Sequence, residues 1–102
     1  MVKTVKRAIV LAISAENAEA LLSGARDRDH RTSPPRALPA RAYLAVVGTG
    51  AVVGECRLGV PERHTAKGWA IPVDRARRYR KPRPVSEFGL AKIPRSFRYV
   101  EM

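Results

Sequence analysis

Cysteine is nearly absent from this chain. The one residue, Cys56, has no intramolecular partner, so no disulfide can staple the fold. That usage fits a reducing compartment, and a cytoplasmic location is expected. Other soft metal ligands are as scarce. Besides Cys56 there are only His30 and His64, and their spacing matches no zinc pattern. No metal and no other cofactor is expected. Long apolar runs are missing too. The longest, Ala42 to Gly54, is broken by Gly48 and Gly50 and falls well short of the roughly 18 residues of a membrane span. The opening MVKTVKRAIVLAIS is basic and then apolar, as a secretory leader is. Its apolar part, Ala8–Ile13, is too short for one, and no small-residue cleavage site follows. Acidic residues are few, 9 against 20 Lys and Arg, for a formal net charge of +11.

The chain does have enough apolar material to offset chain entropy. With 45% hydrophobic residues it is no disordered polyelectrolyte, and 102 residues suit one domain spanning the whole chain, with its core at about 7–101. The basic charge is mostly arginine, 15 residues against 5 lysines. A guanidinium offers a planar fork that matches phosphate oxygens bidentately, so this balance points to phosphate. The charge is also uneven. From Asp74 to Arg98 there are nine basic residues and two acidic ones, Asp74 and Glu87. Tyr79, Phe88, Phe97 and Tyr99 interleave with them, and aromatic faces stack on unpaired bases while Arg follows the backbone.

Local pattern places the elements. RAIVLAI at Arg7–Ile13 reads as a buried strand. Ser14 is a good N-cap, with Glu16 in the first turn, for a short helix from Ala15 to Ser23, and Gly24 suits its C-terminus. Ala25–Thr32 is a strand or an exposed polar loop. As a strand it puts Arg26, Arg28 and His30 on one side and Asp27, Asp29 and Arg31 on the other. Three prolines make Ser33–Arg41 a connector. Ala42–Gly48 and Ala51–Leu58 read as core strands joined by a hairpin turn. Glu55 falls inside that apolar hairpin, and its neighbour Cys56 faces the opposite side. Gly59–Lys67 is expected as a polar loop, Gly68–Val73 as a strand, Asp74–Tyr79 as a helical turn, Arg80–Arg83 as extended chain, Ser86–Gly89 as a turn and Phe97–Glu101 as a closing strand. Trp69 suits the core or a cleft wall. Five or six short strands and one helix imply an α+β fold: a small, partly closed barrel with the helix packed on it.

Several short motifs recur in a telling order. Leu11-Ala12-Ile13-Ser14 ends the first strand, and Leu21-Leu22-Ser23-Gly24 ends the helix. Gly24, Arg26, Asp29 and Arg31 follow a G-x-K-x-x-E-x-R spacing. Val52-Val53-Gly54-Glu55, then Tyr79-Arg80-Lys81-Pro82, then Pro94-Arg95-Ser96-Phe97-Arg98-Tyr99 come later. In these landmarks the chain, from about Arg7 to Glu101, resembles the ASCH domains, compact β-barrels of the PUA-like superfamily. The resemblance implies a mostly antiparallel barrel of five to six strands with one main helix, and RNA as a partner. It also shows departures. The signature Lys is Arg26 and the signature Glu is Asp29. Some small ASCH-like proteins are amidohydrolases of acetylated cytidine that use a Lys and a Thr in this strand with a distant Glu. Arg26 and Asp29 stand at those first two positions, and a guanidinium stays charged, so lysine-assisted chemistry is not preserved.

The expected function is RNA binding, with a basic cleft for single-stranded or locally opened RNA or a modified nucleotide. Arg26, Arg31, Arg78 and Lys81 are expected on phosphates, and Asp29 or Glu55 on a base edge. The alternative is a small nucleic-acid-directed hydrolase, a ribonuclease or nucleoside amidohydrolase, using the same cleft. Its candidate catalytic residues are Asp29, Arg26 and Glu55, with His30 or His64 as proton carriers. A regulator that offers its basic face to an acidic protein is a third reading. A plain structural role also exists for Asp29 and Arg31, since strand residues two apart share a face and pair easily.

Overall fold

The computed structural model describes residues 7–65 and 68–101. Strand β1 (Arg7–Ile13) is apolar from Ala8 onward because both of its faces are covered there. Ile9, Leu11 and Ile13 face an inner core shared with Leu44, Leu58 and Ile71. Ala8 and Val10 face an outer core with Tyr43, Ala45, Val52 and Phe88. Helix α1 (Ala15–Ser23) follows at once. Ser14 caps it, its Oγ accepting from the Asn17 N–H at 3.2 Å, and Ala18 and Leu21 press into the inner core. Gly24 ends it in the left-handed conformation, at φ 83°.

The rest is β2 (Arg28–Arg31), β3 (Ala40–Val46), β4 (Ala51–Leu58), β5 (Glu62–Thr65), β6 (Gly68–Pro84), a 3₁₀ turn (Val85–Phe88) and β7 (Phe97–Glu101). These strands form one curled sheet in the order β2-β6-β4-β3-β1-β7, with β5 also on β6. All pairs are antiparallel except β1 with β3. The architecture is the α+β half-barrel with one helix that the pattern implied. The interrupted apolar run is the β3–β4 hairpin, and the closing strand is β7.

Two local expectations are corrected. The segment read as a polar loop contains β5, which pairs with the start of β6. Asp74–Tyr79 is not a helical turn: it lies within the 17-residue β6, together with Arg80–Arg83, which is extended as expected. A straight strand of that length would run roughly 55 Å at about 3.3 Å per residue. The longest extent of the molecule is 38 Å, so β6 must bend. It bends at two irregularities against β4. Between the pairs Arg57↔Asp74 and Glu55↔Arg77, two residues on β6 oppose one on β4, and Arg75 there takes a left-handed φ of 52°. Between Gly54↔Arg78 and Val52↔Arg83, residues 79–82 oppose Val53 alone and bow away from the ladder. Gly54 lies between β6 and the Leu22 side chain of α1. A Cβ there would stand 2.6 Å from the Arg77 carbonyl oxygen and 2.8 Å from Leu22 Cδ2.

Candidate functional site

The signature segment leaves α1 and enters β2. Arg26 is moored to the helix: its N–H donates to the Ala20 carbonyl at 3.0 Å, and Nη1 donates to Asn17 Oδ1 at 3.1 Å. Asp29 is the one charged residue buried among the described residues, 8% exposed. Arg31 answers it, with Nε donating to Oδ2 at 2.6 Å. The same guanidinium donates from Nη2 to the Ala12 carbonyl at 2.7 Å and from Nη1 to Ser96 Oγ at 3.1 Å. All three of its nitrogens are thus engaged, on β2, on the end of β1 and on the chain just before β7. A charge pair this shielded is held by its geometry, and removing either partner strands the other. His30 alternates with this pair and is exposed, while the side chain of His64 lies outside the described residues. Trp69, directly opposite Arg31 on β6, is half-buried.

Glu55 is on the other face of β4 from Cys56. Its side chain is 18% exposed. Oε1 accepts from the Tyr79 hydroxyl at 3.0 Å and from Arg77 Nη2 at 3.2 Å, and Oε2 lies 3.8 Å from Arg41 Nε. Burial and the bond to Glu55 hold the Tyr79 phenol well above its ordinary range. Cys56 points into the inner core, and burial pushes its thiol up to about 12.

Arg78 crosses to the helix and pairs with Glu19 Oε1 at 2.7 Å. It rims a groove of about 340 Å³ whose floor is Ala18, Leu22, Val46 and Val53. Lys81 is exposed on the bowed part of β6. The structure therefore brings Asp29 and Arg31 into direct contact and spreads the other expected residues. Arg26 and Arg78 are tied to Asn17 and Glu19, which at about 100° per residue lie on opposite flanks of α1. Glu55 joins Arg77 and Tyr79 instead of Asp29.

One cluster was not foreseen. Arg41, Arg57, Arg75 and Arg77 surround Glu55 in an open cavity of about 660 Å³. Arg41 and Arg57 are direct register partners across the β3–β4 hairpin. The signal lay in the hairpin itself. A three-residue Gly48-Thr49-Gly50 turn, counted outward, sets these two arginines opposite each other; the structure closes the hairpin at Val46↔Ala51 and regains that register through the irregularity between Leu44 and Ala45. Among the described residues no three of His, Cys, Asp and Glu converge as metal ligands.

A curled, mostly antiparallel half-barrel with one capped helix against its inner face defines an ASCH domain fold of the PUA-like kind. The crystal structure of the ASCH protein from Zymomonas mobilis matches with a TM-score of 0.75 at 17% identity, covering 91% of this chain and 87% of that one. Two single-residue variants of the same protein match alike, with TM-scores of 0.75 and 0.74 at 17% and 15% identity, each over 91% of this chain and over 89% and 87% of theirs. At such identity the likeness is one of fold. No protein-family model matches the sequence, and no curated protein does. Among the described residues no helix is long and apolar enough to cross a membrane.

Proposed function

We propose that this chain is an RNA-binding module that holds single-stranded RNA against β6. The observation that carries the reading is the chemistry of that one strand. From Asp74 to Arg83 it has six basic residues against one acidic, Arg75, Arg77, Arg78, Arg80, Lys81 and Arg83, and all six are exposed. A row of cations along an extended backbone follows a phosphate chain, and Arg78 and Lys81 are assigned to phosphates. The apolar groove beside Arg78 suits the face of an unstacked base. Arg26 adds charge at the end of α1. The Asp29–Arg31 pair acts at one remove, keeping β2 fixed as a wall.

The test is one gel with labelled single-stranded RNA, run with and without chelator. A salt-sensitive shift without cleavage, weakened when Arg78 and Lys81 are both replaced by Glu, is the expected result. Absence of a shift at low salt overturns the reading. Cleavage that persists with chelator and disappears in Asp29→Asn would make the chain a hydrolase instead. That chemistry asks a carboxylate to accept a proton while it is already bound to Arg31 at 2.6 Å.

A further inference from the structure

The cavity on the outer face of β3, β4 and β6 is a second basic feature, separate from the groove beside α1. Its arginines are arranged at a cost. Arg41 and Arg57 face each other directly across the hairpin, where like charges repel. Arg75 holds a left-handed backbone that an L side chain rarely adopts. Strain of this sort persists where surrounding structure enforces it, and it clusters at ligand sites. The anions of the protein do not use up these cations. Glu55 serves Arg77 at hydrogen-bond distance, but it lies 3.8 Å from Arg41. Asp74 lies 3.8 Å from Arg57. Both longer separations exceed a hydrogen bond. Arg75 has no ion pair among the described residues. Four arginines against Glu55 and Asp74 leave a surplus of two positive charges.

We propose that this cavity binds a phosphate monoester dianion. The surplus charge equals that of a monoester near neutral pH, and guanidinium forks fit its three terminal oxygens. A phosphodiester has one charge and two free oxygens, so it fits the site less well. At about 660 Å³ the cavity has room for more than the phosphate, so a nucleoside can enter with it. Glu55 then offers a carboxylate oxygen to a hydroxyl or amine of that nucleoside. The same group comes from two sources, a free mononucleotide or the 5′ end of an RNA. The site shares Arg75 and Arg77 with the cationic row of β6, but Arg41 and Arg57 belong to it alone, and monoester binding is tested without RNA.

The experiment is calorimetric titration at low salt with adenosine 5′-monophosphate, with adenosine and the monoanionic 3′,5′-cyclic phosphate as controls. The protein is compared with Arg57→Gln and Arg75→Gly. The second substitution removes a cation while relieving the backbone, so its fold is expected to be retained, and a thermal melt checks it. Saturable binding of the monoester alone, weakened about tenfold or more in each variant, is expected. No binding at millimolar monoester, equal binding of the cyclic phosphate, or affinity unchanged in both variants overturns the proposal. A second arm compares one RNA with a 5′-phosphate or a 5′-hydroxyl. A preference for the phosphate that vanishes in Arg75→Gly assigns the site to RNA ends. Monoester binding without such a preference assigns it to free nucleotides. Failure of the 5′-hydroxyl RNA to bind counts against the RNA-binding module only, and leaves the monoester result standing.

Discussion

Arg31 joins three parts of the chain that are far apart in sequence. With both partners well shielded, at 15% and 10% side-chain exposure, cutting Arg31 back to Ala is expected to cost about 3–5 kcal/mol. Asp29→Asn keeps an acceptor and is expected to cost less, about 1–2 kcal/mol. Urea denaturation of the two variants checks the order. The pairing was legible in the sequence as i and i+2 on one strand. The other two contacts, to Ala12 and Ser96, were not, because nothing local records which distant groups a guanidinium will meet. Cys56 makes a residue-scale prediction of another kind. Its thiol is held protonated by burial, so alkylation at pH 8 is expected to be slow in the native protein and fast in denaturant. A folded pKa raised from 9.0 to about 12 means that the native state keeps a proton the unfolded chain has lost. Its contribution to stability is whole below about pH 9 and is lost as pH rises towards 12. Tyr79 is raised in the same direction, so alkaline melts should be shallower in Tyr79→Phe.

At the scale of elements, β6 carries most of the chemistry and most of the strain. Arg75→Gly is expected to raise stability by about 1 kcal/mol, because glycine adopts a positive φ without penalty, and a thermal melt measures it. Gly54→Ala is expected to lower stability by about 1–3 kcal/mol, since the new methyl meets the backbone of Arg77, which has no room to yield. β6 was also the element least legible in the sequence. β1 and β3 carry continuous buried apolar runs, α1 and β4 bury side chains at regular spacing, and the ends of these elements carry Ser14, Gly24, Gly48 and Gly50. From Asp74 to Pro84 the burial strip has no such period, because every residue but Tyr79 is exposed. Pro72, Pro82 and Pro84 look like interruptions. Pro72 is opposite Arg28 of the short β2, near one margin of the sheet, and Pro82 lies in the bowed stretch, so each sits where a missing N–H costs little. β5 escaped for a similar reason. It is four polar residues whose strand conformation comes from pairing with β6.

For the whole molecule, the net charge of +11 sets the behaviour of any polyanion complex. If three phosphates are neutralised, the logarithm of RNA affinity should fall with the logarithm of salt at a slope of roughly −2, at about −0.7 per contact. Lys81→Gln should make that slope shallower by about 0.7 without changing base preference, and a salt series of filter-binding curves reads it. The composition announced this electrostatic character. It did not announce where the charge is spent, because the partition between Glu19, Glu55, Asp29 and a ligand depends on contacts between distant strands.

The placement of β1 has a consequence for how the protein is made. Its partners are β3 and β7, with Arg7 opposite Glu101. β1 is translated before either, and at ordinary elongation rates roughly 5–20 s separate it from β7. Throughout that interval a strand apolar on both faces waits with one sheet edge open. The sheet cannot close until β7 has been made, because the antiparallel partner of β1 comes from the far end of the domain.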